Sequence, residues 1–260
     1  LIKNVTAEIK DNAFSVDKGN RDKFSDDADN KMAIEIPSSV TTIGSQAFYN
    51  RVKVTGLNIQ GNGGLEIGFE AFRGCDELAK IKIMQTQDKL RIYKNAFRGC
   101  KQLNAFENMD KAKITYLGTG VFGDCRSMTN EFVNGVLQNY ADNGEETKIP
   151  AYLFYGCNGQ DGHDGKDANK NKCSFTDLII PAKFSQIGDG AFASSGDAEI
   201  KLKTITVNRE VAPTCLKGET DEYANIKNKS VFAGLDPNMT TVIFANAAEG
   251  WEETEATGFL

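Results

Sequence analysis

A motif that recurs along almost the whole chain constrains its fold more than any other feature. Residues 65–78 and 90–103 align without a gap, 25 residues apart, sharing Leu, Ile, Ala-Phe, Gly-Cys and Leu at matching places. Ile114, Leu117, Val121, Phe122, Cys125 and Met128 repeat the pattern one period later. Upstream, Val40, Ile43, Ala47 and Phe48 fit, as do Val5, Ile9, Ala13 and Phe14. Downstream, the pattern returns at Leu153, Phe154 and Cys157, at Ile187, Ala191 and Phe192, and at Val231 and Phe232. The phenylalanines at 14, 48, 72, 97, 122, 154, 192 and 232 mark about eight registers, spaced 34, 24, 25, 25, 32, 38 and 40 residues apart. One such unit has too little apolar surface to fold alone, so the units must stack and close a shared core.

The second half of each unit is a short extended run. Ile34-Glu35-Ile36-Pro37, Leu57-Asn58-Ile59, Ile81-Lys82-Ile83, Leu178-Ile179-Ile180-Pro181 and Ile205-Thr206-Val207 read as half-buried strands, with proline at a strand end where it costs no ladder bond. The prediction is a mostly β repeat solenoid with parallel strands and few helices. At strand spacing, eight coils make a rod roughly 40 Å long. Gly44, Gly68, Gly118 and Gly188 precede the Phe motif, where a tight bend or a close approach between coils is expected; Lys10 and Tyr93 take that place elsewhere, so a positive φ is not required there.

The pattern Ile-x-Ile-Pro-x-x-Val-x-x-Ile-Gly-x-x-Ala-Phe-x-x-Cys-x-x-Leu resembles the BspA-like subclass of leucine-rich repeats. Residues 34–48 carry its first two thirds and residues 65–78 the remainder. The resemblance implies a right-handed leucine-rich-repeat coil occupying residues 1–260 as one domain. Within it, 1–33 would form an irregular first repeat, 34–207 the main array with insertions, and 208–260 the last repeat and a C-terminal cap containing Trp251. It further implies an exported bacterial protein, secreted or held at the cell surface, that binds a host or neighbouring-cell protein or glycan in adhesion. The chain starts at Leu1 in mid-pattern, which fits a removed signal peptide or a piece of a longer protein.

Composition narrows the alternatives. The net charge is -6 and no basic stripe is present, so nucleic acid is not an expected partner. No run is long and apolar enough to be a transmembrane segment. Four of the six cysteines, Cys75, Cys100, Cys125 and Cys157, share one register. A column of parallel Cα–Cβ vectors about 5 Å apart suits thiols rather than disulfides, which need about 3.8 Å between Cβ atoms. A bridge from Cys157 to Cys173 would close the intervening loop, and Cys215 has no evident partner.

Catalysis is not expected. The one histidine, His163, lies in a polar glycine-rich insertion where rigid support for a catalytic group is lacking. Asp161, Asp164 and Asp167 in that loop have three-residue spacing, unlike an EF-hand, so neither a metal nor another cofactor is expected. A glycosidase would need two carboxylates facing one another across a cleft, and the acidic residues do not recur at a shared inward position. The remaining candidate is the exposed strand face, whose outward residues are Glu35, Asn58, Lys82, Lys148, Ile179 and Thr206. They are mixed in charge and short on aromatics, which favours a peptide or protein over a sugar-stacking groove. The expected function is a non-catalytic, monomeric adhesion or interaction module. The other reading is a structural spacer that presents a further domain.

Overall fold

In a computed structural model, the protein is described at residues 7–17, 31–61, 63–157, 174–194, 200–210, 213–215, 230–235 and 238–244. It is a parallel-strand solenoid with one α-helix among the described residues. Each coil places strands on two faces. The five expected strands lie on the second face as β2 (Met32–Ile36), β4 (Val54–Ile59), β6 (Lys80–Ile83), β11 (Asp177–Ile180) and β13 (Thr204–Val207), and that face also holds two strands not anticipated, β8 (Ala105–Glu107) and β15 (Thr241–Phe244). A first face, not anticipated, comprises β1 (Glu8–Ile9), β3 (Thr42–Ile43), β5 (Gly64–Ile67), β7 (Gln87–Ile92), β9 (Ala112–Leu117), β10 (Lys148–Ile149), β12 (Gln186–Ile187) and β14 (Thr214–Cys215). Several of these strands are two residues long, too short to show an alternating pattern.

Between the faces lies the repeated core. The eight phenylalanines form one column, each ring stacked on the next at centroid distances from 5.0 to 5.9 Å. A backbone ladder accompanies it. The N–H groups of Phe48, Phe72, Phe97 and Phe122 donate to Ala71, Ala96, Val121 and Leu153 of the following coil at 2.7 to 3.0 Å. The turn around Phe48, Phe72, Phe97, Phe122 and Phe154 is left-handed at two places, and around the other three at one. Asn12, Gln46, Glu70, Asn95 and Tyr152 have φ of 53 to 57° two residues before a Phe, and Asn50 and Asp124 have φ of 58° two residues after one. That conformation costs a non-glycine residue about 1–2 kcal/mol, which the inter-coil ladder offsets. Local preference and stacking both shape the turn: glycine or asparagine fills most of these positions, and stacking holds Gln46, Glu70 and Tyr152 in a conformation they do not favour.

The four glycines ahead of the motif have ordinary φ, and each serves close approach. A Cβ on Gly188 would lie 2.4 Å from the Ala151 nitrogen of the neighbouring coil. The cysteine column forms as thiols. Cys75, Cys100, Cys125 and Cys157 donate from Sγ to the carbonyl oxygens of Phe48, Phe72, Phe97 and Phe122, one coil back, at 2.9 to 3.2 Å. Burial pushes the Cys100 and Cys125 thiols well up, so they stay protonated donors. Cys173, His163, Asp161, Asp164, Asp167 and Trp251 lie outside the described residues.

The 32-residue interval between Phe122 and Phe154, longer than the central spacings, holds α1 (Asn130–Asn143). Thr129 caps it, its hydroxyl accepting from the Phe132 N–H at 3.1 Å. Phe132, Val136 and Tyr140, with Val133, Leu137 and Ala141, form its buried stripe at i, i+4 spacing. The helix takes the place of a second-face strand between β8 and β11, and asparagine side chains meet the exposed strand edges. Asn130 Oδ1 accepts from the Thr176 and Asp177 N–H groups at 2.8 and 3.0 Å, and Asn134 Oδ1 from Ile179 at 2.9 Å. Asn139 Oδ1 accepts from Ile114 at 2.9 Å, and its amide donates to Ala112 at 2.8 Å. Helix backbone groups are used internally, so only side chains can satisfy these edges.

The first face breaks at the same level, between β9 and β10. Elsewhere its ladder is closed by an N–H four residues before the Phe: Gly68 donates to Ile43 at 2.8 Å, Tyr93 to Ile67 at 2.9 Å and Gly118 to Ile92 at 2.9 Å. The equivalent residue facing Leu117 is Pro150, which has no N–H. Tyr140 of α1 packs beside Leu117 at this break; burial pushes its pKa up to about 12, against the lowering effect of a hydrogen bond from the Leu117 backbone. Both faces are therefore interrupted at one seam, while the Phe column runs through it.

Candidate functional site

The six outward residues expected to share a ligand face lie in three sheets. Glu35, Asn58 and Lys82 are adjacent in register on β2, β4 and β6 of the second face, with Glu107 next. They bind one another: the Asn58 amide donates to Glu35 at 2.5 Å, and Lys82 pairs with Glu107 at 3.4 Å. Lys80 also donates to Glu107, at 3.1 Å, and the two lysines hold that carboxyl below the usual range. Ile179 and Thr206 are in register on β11 and β13, beyond α1, with Ile243 following. Lys148 is elsewhere, on β10 of the first face, opposite Gln186. Alternation within one run cannot say which of two faces the run belongs to, so the sequence pattern puts Lys148 on the wrong one.

The first face carries a cluster that the sequence pattern does not reveal. Its outward row runs Glu8, Thr42, Glu66, Arg91 and Tyr116, one residue per coil. Tyr93 stands where glycine stands in four of the eight coils, and its ring comes 5.3 Å from that of Tyr116, tilted by 46°. The Arg91 guanidinium lies over both rings, 5.5 Å from Tyr93 and 5.3 Å from Tyr116. Glu66 approaches Arg91 at 3.7 Å and hydrogen-bonds Tyr93. Burial first, and the Glu66 charge second, raise the Tyr93 pKa, so its hydroxyl keeps its proton at neutral pH. The one signal in the sequence is the substitution of Tyr for Gly at 93. The partner at 116 is 23 positions away and becomes adjacent only through stacking.

Two depressions flank the cluster. One, of about 350 Å³, is lined by Thr41, Thr42, Glu66, Lys89 and Arg91. The other, of about 180 Å³, opens at the seam and is lined by Tyr116, Thr119, Tyr140, Glu146, Lys148 and Pro150. Lys148 thus borders the aromatic cluster and not the Glu35–Lys82 row. Aromatic and hydrogen-bonding groups thus converge here from strands, connections and α1, an arrangement suited to holding a ligand. Among the described residues no group of three or more His, Cys, Asp or Glu could hold a metal ion, and no helix is long and apolar enough to cross a membrane.

No curated protein matches the chain. Among solved structures it is similar to the T. pallidum leucine-rich repeat protein TpLRR, at 17% identity over 87% of this chain and 82% of that one, with a TM-score of 0.36. It is also similar to a leucine-rich repeat protein from Bacteroides ovatus ATCC 8483, at 18% identity over 84% of this chain and 64% of that one, with a TM-score of 0.29. A leucine-rich cell surface protein from Faecalibacterium prausnitzii A2-165 matches at 15% identity over 97% of this chain and 85% of that one, with a TM-score of 0.26. The family model for the BspA type leucine rich repeat region matches in six copies over residues 20–159 and 165–216. With the Phe column, the thiol ladder and the two-faced coil all built from that repeat, the chain belongs to the BspA-type leucine-rich repeat family.

Proposed function

We propose that the chain is a non-catalytic extracellular adhesion module that binds a host or neighbouring-cell protein or glycan as a monomer, through the first face of its solenoid. Proteins of this family are generally surface protein-interaction modules. The observation that carries the reading is the Arg91–Tyr93–Tyr116 cluster. From Val40 onward the repeated side chains are buried and account for stability, whereas these three do not repeat and sit half-buried between two depressions. Tyr and Arg are the residue types that most often dominate binding energy, because they bring large contact area and directional hydrogen bonds at low entropic cost. The Glu35–Asn58–Lys82–Glu107 row makes a weaker candidate, since its charges already satisfy one another.

The test is binding of the purified chain to a panel of extracellular-matrix proteins and surface glycans by biolayer interferometry. Arg91→Ala and Lys148→Ala are expected to weaken the captured interaction at least tenfold, and Lys82→Ala to leave it unchanged. A wild-type chain that binds nothing across the panel would favour the spacer reading. Equal losses from all three variants would move the contact off the first face.

A further inference from the structure

We propose that the seam between β9 and β10 is a subsite for one pyranose ring of a neutral oligosaccharide. The inference rests on the binding-module reading above and names the ligand class for one part of that face. Three observations lead to it. First, the cleft is about 180 Å³, below the range of about 300–1,000 Å³ typical of drug-sized ligands, so it admits a single small ring. Second, Tyr116 is shared between the cluster and the cleft. Arg91, on the preceding strand, covers the ring from the β7 side, and the cleft lies on the β10 side. An aromatic ring with one side held by a cation is fixed in orientation and presents its other side to the opening.

Third, polar groups share the remaining lining with Leu117, Tyr140 and Pro150. Thr119 contributes a hydroxyl, Glu146 a carboxylate and Lys148 an ammonium group. A pyranose has an apolar C–H face and a rim of hydroxyls that both donate and accept. Its face suits Tyr116, and its rim suits an acceptor at Glu146 and a donor at Lys148. The opposed charges of Glu146 and Lys148 favour a neutral sugar over a uronate. The cleft exists because Pro150 breaks the ladder, so the subsite is a product of the seam and has no counterpart at the continuous coils.

The experiment titrates the full chain with cellotetraose, mannotetraose, chitotetraose and tetragalacturonate, read by saturation-transfer difference NMR and by the shifts of the Tyr116 ring protons. At least one neutral tetrasaccharide is expected to bind and to move those protons. Tyr116→Ala should weaken that binding at least tenfold, Tyr116→Phe less than threefold, and Lys82→Ala not at all. Circular dichroism and melting of each variant confirm folding. Should Tyr116→Ala fail to fold, Glu146→Gln with Lys148→Met supplies the same comparison from the polar side, with at least a fivefold loss expected. Binding of tetragalacturonate alone would overturn the neutral-sugar assignment. Binding unaffected by the Tyr116 and Glu146/Lys148 changes would overturn the site. If no tetrasaccharide binds while a matrix protein does, the subsite falls and the module reading stands; if nothing binds, both fall.

Discussion

The two halves of the solenoid use the same inward residues and opposite outward ones. From β1 to β9 the coils repeat every 24–25 residues after Phe48, and their surfaces are tied together by charge. Lys82 pairs with Glu107, Arg98 with Asp124 at 3.0 Å and Lys101 with Asp76 at 3.3 Å, each across neighbouring coils. Beyond α1 the intervals lengthen to 38 and 40 residues, and the second face presents Ile179, Thr206 and Ile243 beside Thr204 and Thr241. A column of stacked rings tolerates this divergence because each coil touches only its neighbours. The lesson is that the core motif sets how coils stack and leaves open what they display. Where the two styles meet, neither face stays continuous, and a helix with asparagine side chains makes the join.

Removing the shared element should damage the molecule most. Phe97→Ala, in the regular half, is expected to cost about 3–5 kcal/mol in urea denaturation, since its ring is fully buried between two others. A cost near 1 kcal/mol would mean that the coils can collapse around the gap. Next comes the join. Asn130→Ala with Asn134→Ala would leave the Thr176, Asp177 and Ile179 N–H groups without acceptors, at about 1–3 kcal/mol for each group left unsatisfied. The C-terminal half should then melt before the N-terminal half, and amide exchange at Asp177 and Ile179 should accelerate. A single sharp transition as in the wild type would show that the Phe column alone couples the halves.

The thiol ladder allows a test by pH. Unfolded cysteines ionise near about pH 8.5, whereas burial raises the Cys100 and Cys125 values in the native chain. Above about pH 8.5 the native state therefore holds more protons than the unfolded one. Their contribution to stability is whole below that pH and falls as pH rises toward the native values. Tyr140, pushed up to about 12 from 10.0, adds to the loss above about pH 10. Urea midpoints measured from pH 7 to 10 should decline, and Cys100→Ser with Cys125→Ser should flatten the decline. A slope unchanged by the double variant would place the alkaline sensitivity elsewhere. At neutral pH, Cys100→Ala is expected to cost about 1 kcal/mol through the lost bond to Phe72.

The smallest effect belongs to the charged surface of the regular half. Lys82 is 38% exposed and its ion pair with Glu107 is solvated, so Lys82→Ala should leave the melting temperature within measurement scatter at 150 mM salt. A clear loss would mean that the row of charges helps hold the coils together.

Much of this architecture is legible in the amino-acid sequence alone. The phenylalanine spacing determines the stack, since a residue buried in every coil must recur in every coil. The shared register of Cys75, Cys100, Cys125 and Cys157 likewise determines a column of thiols, and alternation in Ile81-Lys82-Ile83 and its counterparts determines the second face. The helix is legible in principle, through Thr129 as cap and the spacing of Phe132, Val136 and Tyr140, but the long interval between repeats makes it look like an insertion. What tertiary structure alone decides is which outward residues share a surface. Lys148 joins Tyr116 and not Lys82, and Tyr93 meets Tyr116 across a coil, because stacking brings together residues that no local pattern relates. Burial leaves a period in the sequence, since the core imposes one; exposure on a solenoid imposes none.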